Sequence, residues 1–276
     1  MEALIFDIQR SSFVDGPGIR TTVFFKGCNL RCKWCHNPES QSSETQMMFY
    51  AHKCTGCGKC AKVCPNKTGS CDLCGKCTLY CPNDARKICG KSYSADGLLA
   101  VIEKDKAYYE SSGGGVTFSG GECMLQSDFL AEILKLCKEK GIHTAVDTAG
   151  HVPWESFLKV IPYTDLFLYD VKAYTDELHK TGVGVSNKLI FDNLTRLCEC
   201  CRDKITVRVP VMMGYNGTDE EIGKISAFVK DLGIGSVELL PYHRLGEHKY
   251  AALGSKAEEY GVPSEADIDR WRRNFI

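Results

Sequence analysis

The sequence predicts an α/β protein, a partial (βα)6 barrel of the TIM type that is interrupted by a cysteine-rich insert. Two observations carry this prediction. Short apolar runs typical of strands alternate with amphipathic helical runs, and eleven of the 17 cysteines fall between Cys28 and Cys81. The barrel is expected over residues 1–48 and 92–276, and the insert over residues 49–91.

The strands and helices of the predicted barrel follow from periodicity. Six strands are expected at Thr21–Lys26, Val116–Phe118, Thr144–Asp147, Asp165–Val171, Ile205–Val211 and Ser236–Leu240. Four helices are expected at Leu98–Tyr109, Asp128–Lys140, Ser186–Cys200 and Asp219–Asp231, the last with Thr218 as its N-cap. Several strands are followed directly by small or polar residues, and ligands of α/β sheets collect at these carboxyl ends.

Composition narrows the class of protein. The chain has 276 residues, 43% of them hydrophobic, with Lys+Arg at 34 against Asp+Glu at 35. This balance gives no electrostatic footprint for nucleic acid or an acidic membrane. No apolar stretch reaches the roughly 20 residues of a membrane span, and the acidic start does not resemble a signal peptide. We therefore expect a cytoplasmic protein, in whose reducing compartment clustered cysteines bind metal rather than form disulfides.

Three cysteines, Cys28, Cys32 and Cys35, follow the first predicted strand in one short loop. Three thiolates can hold three irons of a 4Fe–4S cluster and leave the fourth iron open to a substrate. A zinc site completed by His36, or thiols that are merely buried, are the alternatives.

The spacing Cys28-x3-Cys32-x2-Cys35, with Trp34 before the third cysteine, resembles the signature of the radical S-adenosylmethionine (SAM) enzymes. Further segments resemble the glycyl-radical-enzyme activating enzymes, such as the pyruvate formate-lyase activating enzyme. These segments are Asp15–Arg20, Cys35–Ser40, Ser119–Glu122, Asp147–Gly150, Asp170–Lys172, Val185–Asn187 and Leu240–Leu245. The resemblance implies an oxidoreductase that cleaves SAM to methionine and a 5′-deoxyadenosyl radical, which takes a hydrogen from a backbone glycine of a partner enzyme.

The resemblance also implies roles for residues at the strand ends. The implied SAM-binding residues are Trp34, His36, Gly120, Gly121, Glu122, Asp147, Lys172, Arg208 and His243. A monovalent cation, Na⁺ or K⁺, is implied at Asp147, Thr148, Asp170 and the main-chain oxygen of Leu168. Asp15 is implied to face the partner's glycyl loop, and Asp176, Glu177 and His179 to help admit it. Without the resemblance, Ser119–Glu122 reads as a strand-to-helix turn, the aspartates as helix caps and Asp15 as a turn residue. Cys123 stands where the family usually has proline.

The insert contains two tandem runs with the spacing x2, x2, x3 and a proline after the last cysteine. The bacterial ferredoxin run has this order, and its fourth cysteine ligates the other cluster. A ferredoxin-like domain with two 4Fe–4S clusters is thus predicted, with structural zinc as the alternative. The crossed ligand sets are Cys54, Cys57, Cys60 with Cys81, and Cys71, Cys74, Cys77 with Cys64. Because Cys71 follows Cys64 unusually soon, Cys89 is an alternative terminal ligand.

The functional expectation is an activating enzyme with three 4Fe–4S clusters, SAM and a monovalent cation. The expected partners are a glycyl radical enzyme of the dehydratase or lyase type, hydroxyproline dehydratase among them, and a flavodoxin or ferredoxin-type electron donor. We expect a monomer from an anaerobic organism that binds neither nucleic acid nor a membrane. The alternatives are a radical SAM enzyme acting on another peptide or a small molecule, and an iron–sulfur electron carrier. The open three-cysteine site argues against a carrier, which has no use for an iron without a protein ligand.

Overall fold

The structure, a computed structural model, describes residues 1–67 and 71–275, so residues 68–70 of the predicted insert lie outside the described part. The strands are β1 (Glu2–Ser12), β2 (Arg20–Phe25), β3 (Gln46–Phe49), β4 (Arg86–Cys89), β5 (Lys91–Ser94), β6 (Gly115–Gly120), β7 (His143–Thr148), β8 (Leu166–Asp170), β9 (Ile205–Val211) and β10 (Val237–Pro241). The α-helices are α1 (Lys59–Val63), α2 (Lys76–Leu79), α3 (Ala95–Ile102), α4 (Lys106–Ser112), α5 (Ser127–Glu139), α6 (Trp154–Val160), α7 (Asp176–Val183), α8 (Lys188–Cys201), α9 (Asp219–Asp231), α10 (Glu247–Ala252) and α11 (Glu265–Arg272). None of the helices in these residues is long and apolar enough to cross a membrane.

The main sheet has eight strands in the order β10-β9-β8-β7-β6-β2-β1-β5. Strands β2 and β6 to β10 are parallel and follow one another in chain order. Because right-handed crossovers that all advance in one direction place their helices on one face of a sheet, this order produces a partial barrel. The α/β class and the six predicted strands are confirmed, and β1 and β5 extend the sheet by antiparallel pairing.

Helix packing against the sheet forms the core. In α5, the side chains of Leu130, Ile133, Leu134 and Cys137 are fully buried at the i, i+3, i+4, i+7 spacing of one helix face. Phe129 of the same helix packs edge-on against Phe25, with ring centroids 6.0 Å apart. Burial of each large apolar side chain stabilises the fold by roughly 1.5–3 kcal/mol.

The predicted helix Leu98–Tyr109 is wrong as one element. It divides into α3 and α4 at a 3₁₀ turn over Glu103–Asp105. The buried Asp105 carboxylate accepts hydrogen bonds from Arg10 Nε at 2.8 Å and Thr21 Oγ1 at 2.7 Å. These contacts hold the turn against β1 and β2 instead of leaving it in a continuous helix.

The insert rises from a short two-stranded sheet, in which β3 pairs antiparallel with β4. Its base is apolar, since Met48 and Cys89 are buried with Phe6 and Phe24 of the main sheet. Above the base, in the described part of the insert, neither α1 nor α2 contains a buried side chain. The domain boundaries at 49 and 91 stay a prediction.

Candidate active site at the carboxyl edge of the sheet

The three-cysteine loop starts directly after β2 and is tied to the end of α7. The amides of Arg31 and Lys33 donate to the carbonyl oxygens of Val183 and Gly182, at 2.9 and 3.0 Å. A side chain at Gly182 would meet the Tyr215 ring at 2.4 Å, so glycine is required for this close approach.

An aromatic contact also holds this loop. The buried Trp34 ring packs on Tyr215 with centroids 4.4 Å apart. Protein contacts therefore shape the loop around Cys28, Cys32 and Cys35.

Burial dominates the electrostatics of the three thiols. It raises the pKa of Cys28 and of Cys32 to about 12, and it raises the pKa of Cys35. Burial alone would lower the pKa of the nearby Lys172. The charges of Asp170 and Cys32 outweigh this effect and raise the pKa of the ammonium group. Thiols of this kind keep their protons until a metal displaces them.

The donor chemistry of the loop fits a 4Fe–4S cluster. Three soft sulfur ligands lie in one loop, and the Leu30 amide donates to Cys28 Sγ at 3.4 Å, a contact that stabilises a thiolate. Among the described residues, no three Cys, His, Asp or Glu side chains gather tightly enough to hold one metal ion. The fit rests on the ligand types and this amide contact.

Two glycines bring the end of β6 against the cysteine loop. A Cβ on Gly120, which has φ of +120°, would lie 2.2 Å from Phe25 N, and one on Gly121 would lie 2.2 Å from Gly27 O. The amide of Glu122 donates to the same Gly27 oxygen at 2.8 Å. Only a side-chain-free backbone can sit this close to the start of the loop.

Glu122 joins the ends of β6 and β7. Its buried carboxylate accepts from Thr148 Oγ1 at 2.7 Å, from the Ala149 amide at 2.9 Å and from the Met124 amide at 3.2 Å. Burial raises the pKa of Glu122 to about 7 despite these donors. Its side chain is thus bonded to its own protein and positions both strand ends.

A row of four charged side chains crosses from the ends of β7 and β8 to the middle of β9, where Arg208 pairs in register with Asp170. Lys172 Nζ donates to Asp170 at 2.6 Å, and Arg208 lies 3.7 Å from Asp147. Burial raises the pKa of Asp147 to about 6, although Arg208 acts in the opposite direction. Leu168 lies opposite Asp147 in the register of β7 and β8. The structure therefore brings together four predicted site residues, of which two are basic, Lys172 and Arg208, and two are acidic, Asp147 and Asp170.

The two predicted histidines stack on each other. The rings of His36 and His243 have centroids 4.0 Å apart at 16°, and His36 Nε2 donates to the His243 carbonyl at 3.0 Å. Burial, and then the neighbouring His243, lowers the pKa of His36 to about 4. The stacked pair borders the loop that carries Cys35.

Asp15 lies in the loop between β1 and β2, which folds onto the concave face of the sheet. Its carboxylate accepts from Ser12 Oγ at 2.6 Å and from Thr22 Oγ1 at 2.7 Å. The preceding Val14 carbonyl accepts from Arg208 at 3.3 Å, while the Phe13 side chain is 71% exposed. Asp15 is therefore anchored below the charged row, beside an exposed apolar residue.

The segment after β8 is held by internal contacts. Asp176 accepts from Ser186 Oγ at 2.6 Å and pairs with Lys180. His179 is buried and its Nδ1 donates to the Val185 carbonyl at 2.7 Å. These residues hold the α7 segment, whose end accepts hydrogen bonds from the cysteine loop.

Sequence reasoning missed Asn216, which positions Lys172. The buried Asn216 amide donates to the carbonyl oxygens of Lys172 at 2.9 Å and Pro210 at 2.6 Å. It also accepts from the Met212 amide at 2.9 Å. Asn216 lies in the turn five residues after the end of β9, and its contact with Lys172 depends on the fold.

The two cysteine runs of the insert share one backbone geometry. Gly56 and Leu73 occupy equivalent positions with φ of 69° and 56°, and Gly58 and Gly75 follow with 68° and 75°. Amides of Gly56 and Leu73 donate to the first sulfur of each run, at 3.5 and 3.4 Å.

One cavity is lined by four cysteines of the insert. They are Cys54, Cys57, Cys60 and Cys81. Cys89 instead lies buried in the base, with its Sγ 3.9 Å from the Glu39 carbonyl.

Cys123 is fully buried under the charged row. Its Sγ lies 3.4 Å from the Phe118 carbonyl and 3.5 Å from the Asp147 carbonyl, to which it donates. Burial raises its pKa well above the ordinary value. The thiol is therefore an interior group that supports the strand ends.

The structure is a partial parallel barrel with three cysteines on the loop after its first parallel strand. Comparisons with known proteins identify the family that has this arrangement. The sequence profile of the radical SAM superfamily matches residues 64–229. A radical SAM methyltransferase from Sphaerobacter thermophilus shares the fold at a TM-score of 0.59 and 15% identity, covering 100% of this chain and 72% of that one.

Relatives with higher identity define the subgroup. The trans-4-hydroxy-L-proline dehydratase activating enzyme of Clostridioides difficile is 45% identical, over 100% of this chain and 96% of its own. The choline trimethylamine-lyase activating enzyme of Oleidesulfovibrio alaskensis is 40% identical, over 98% and 93%. A domain of a pyruvate-formate lyase-activating enzyme from Bacteroides vulgatus is 32% identical with a TM-score of 0.50, over 59% and 92%.

The chain therefore belongs to the radical SAM superfamily and, within it, to the enzymes that activate glycyl radical enzymes. Membership implies a 4Fe–4S cluster and SAM as cofactors, and a glycyl radical enzyme as the protein substrate.

Proposed function

We propose that this enzyme activates a glycyl radical dehydratase that acts on trans-4-hydroxy-L-proline. The supporting observation is the 45% identity across the whole chain to an activating enzyme of that name, against 40% to the activating enzyme of a choline lyase. The two alignments span 100% and 98% of this chain.

Cys28, Cys32 and Cys35 would hold the catalytic cluster and leave one iron for SAM. When bound, the cluster supplies the electron that cleaves the SAM sulfonium and yields the 5′-deoxyadenosyl radical. The loop, held by α7 and Trp34, keeps the three sulfurs next to the Gly120–Gly121 backbone.

The charged row would bind the amino-acid end of SAM. That end is a zwitterion, and the row offers Lys172 and Arg208 for its carboxylate and Asp147 for its ammonium group. The backbone at Gly120 and Gly121 allows close approach, and Glu122 fixes the edge rather than contacting the ligand directly. Trp34, His36 and His243 would border the rest of the molecule.

A monovalent cation would bind at Asp147, Thr148, Asp170 and the Leu168 carbonyl. These are hard oxygen donors at adjacent strand ends, which suit Na⁺ or K⁺ better than iron. Since burial raises the pKa of Asp147 to about 6, a cation beside it would favour the ionised carboxylate.

The insert would hold two further clusters, with Cys54, Cys57, Cys60 and Cys81 in one set and Cys71, Cys74, Cys77 and Cys64 in the other. The cavity that the first four line supports this crossed assignment. Filled clusters without an open iron fit a relay that takes electrons from a flavodoxin or ferredoxin-type donor. We infer a monomer that acts on protein and not on nucleic acid.

The test mixes the reduced, cluster-loaded enzyme and SAM with each candidate partner, without oxygen. A glycyl radical doublet in the electron paramagnetic resonance (EPR) spectrum is expected with the hydroxyproline dehydratase, and a signal at least about tenfold weaker with the choline lyase. A doublet on the choline lyase alone would assign the other partner. A dehydratase whose radical glycine is replaced by alanine serves as the blank.

Asp15→Asn tests partner recognition separately. Because Asp15 lies beside the exposed Phe13, we expect slower radical formation on the dehydratase with unchanged SAM cleavage in its absence. Asp96→Asn, at an exposed aspartate of α3, is the matched control and should leave both rates unchanged. Equal losses in both rates would show that Asp15 shapes the SAM site instead.

A further inference from the structure

Charge is distributed unevenly along the chain. Residues 49–91 contain eight lysines and arginines against two aspartates, a net charge of +6. The remaining residues contain 26 against 33, a net charge of −7. The near-neutral total conceals a basic insert on an acidic barrel.

Part of this positive charge lines a groove between the insert and α10, which we name the Lys53–Lys87 groove. Its volume is about 580 Å³, and its lining includes the charged residues Lys53, Arg86 and Lys87 against Asp84, together with His248. In residues 1–67 and 71–275, neither Lys53 nor Lys87 pairs with a carboxylate. Both lysines are exposed, so their charge faces the solvent.

The groove shares a wall with the four-cysteine cavity. Lys53 and Arg86 line both spaces. The Arg86 Nε atom is buried and has no hydrogen-bond partner among the described residues. Clusters bound by thiolates bring negative charge of their own, but they would lie behind this wall, whereas the lysines face outward.

An apolar residue completes the groove. Leu79 of α2 lines it and is 84% exposed. Leu79 thus lies among the cationic side chains of the groove, an arrangement in which apolar contact would give affinity and charge would give encounter rate.

Resting on the proposed electron relay through the insert, we propose that the Lys53–Lys87 groove docks an acidic protein that carries a one-electron cofactor. Charge complementarity selects this occupant, because an acidic protein is attracted to the insert and repelled by the barrel. The four cysteines of the cavity would hold the cluster that accepts one electron, so that the carrier would be oxidised and the cluster reduced. No covalent bond forms or breaks, and no proton is transferred.

The experiment measures reduction of the cluster-loaded enzyme by flavodoxin hydroquinone in stopped flow, at several salt concentrations. For Lys53→Gln/Lys87→Gln, the bimolecular rate at low salt should fall about tenfold or more, with a flatter salt dependence. Lys104→Gln/Lys188→Gln, at two exposed lysines of the barrel, is the charge-matched control and should behave as wild type. Leu79→Ser should slow reduction at every salt concentration without changing its slope.

Reduction by photoexcited deazaflavin, a small neutral reductant, should be equal in all variants, as should iron content. Unchanged flavodoxin rate and salt slope in the double variant would overturn the proposal. So would a double variant that is reduced normally but no longer forms the radical on the dehydratase, since the groove would then dock the dehydratase. If deazaflavin-reduced wild type does not cleave SAM, the proposed function itself fails, independently of the groove.

Discussion

The three-cysteine loop and the insert hold the same kind of ligand in opposite surroundings. Cys28 and Cys32 are half-buried on a barrel that shapes their loop, and burial raises their pKa to about 12. Cys54 and Cys71 are exposed, and in the described part of the insert neither α1 nor α2 contains a buried side chain. Backbone amides even lower the pKa of Cys81. We expect from this comparison that the barrel shapes its cysteine loop before metal binds, whereas the proposed clusters would organise the insert.

The largest expected effect separates the two regions by function. If Cys32 holds the catalytic cluster as proposed, Cys32→Ala should lower SAM cleavage by at least about a thousandfold, as for loss of an essential catalytic group. Formation of 5′-deoxyadenosine with a chemical reductant measures it. Cys57→Ala is the control, and it should retain most of this cleavage. Similar losses in both variants would mean that the two regions are not independent.

Removal of iron tests whether metal organises only the insert. After chelation, trypsin should cut at insert lysines such as Lys59, Lys62 and Lys76 about 10²-fold faster, because these segments lose their cross-links. Cuts at Lys104 and Lys135 of the barrel serve as the internal reference. If the insert sites stayed protected, the insert would have a fold that does not require iron.

Lys172→Gln tests the charged row within the barrel region. Loss of a charge-assisted contact of about 1.5–3 kcal/mol should weaken SAM binding roughly 10- to 100-fold. Equilibrium binding of SAM to the unreduced, cluster-loaded enzyme measures it. The matched control is Lys188→Gln, an exposed lysine at the start of α8. An unchanged dissociation constant would remove Lys172 from the SAM site.

Asp105→Asn tests barrel stability without touching either cluster region. Arg10's hydrogen bond, aided by Thr21, lowers the pKa of Asp105. The carboxylate therefore stabilises the fold above the unfolded-state pKa of about 3.9, and this contribution is lost as the pH falls through the lower folded value. The variant should lose about 1–3 kcal/mol of unfolding free energy at pH 7 in urea titrations, and less below pH 4. If the difference in unfolding free energy between wild type and variant does not depend on pH, the ion pair is not the source of that difference.

Periodicity explains why the parallel strands could be predicted and other elements could not. In strand β9, β-branched apolar residues alternate with Thr206, Arg208 and Pro210, and its predicted bounds match. Strand β1 was missed because its two register shifts break the alternation of side chains that marks an antiparallel strand. It is also half exposed, so its sequence carries little apolar signal.

Sequence motifs name most residues of the proposed site, whereas packing contacts supply others. The spacing of Cys28, Cys32 and Cys35 predicts a cluster, and their role as its ligands stays a prediction. Tyr215 and Asn216 could not be found in this way, because their roles depend on Gly182 and Lys172, which are distant in the chain. Glu122 was predicted, but its bonding to Thr148 required the register of β6 and β7.

The central claim is that only the three-cysteine loop leaves an iron open to SAM. EPR spectra of the reduced protein with and without SAM test it in two variants. In Cys57→Ala/Cys74→Ala, which lacks two insert ligands, SAM should change the remaining cluster signal. In Cys32→Ala, SAM should change no cluster signal. A SAM-dependent change in the Cys32→Ala protein would contradict the claim, because it would place the open iron in the insert.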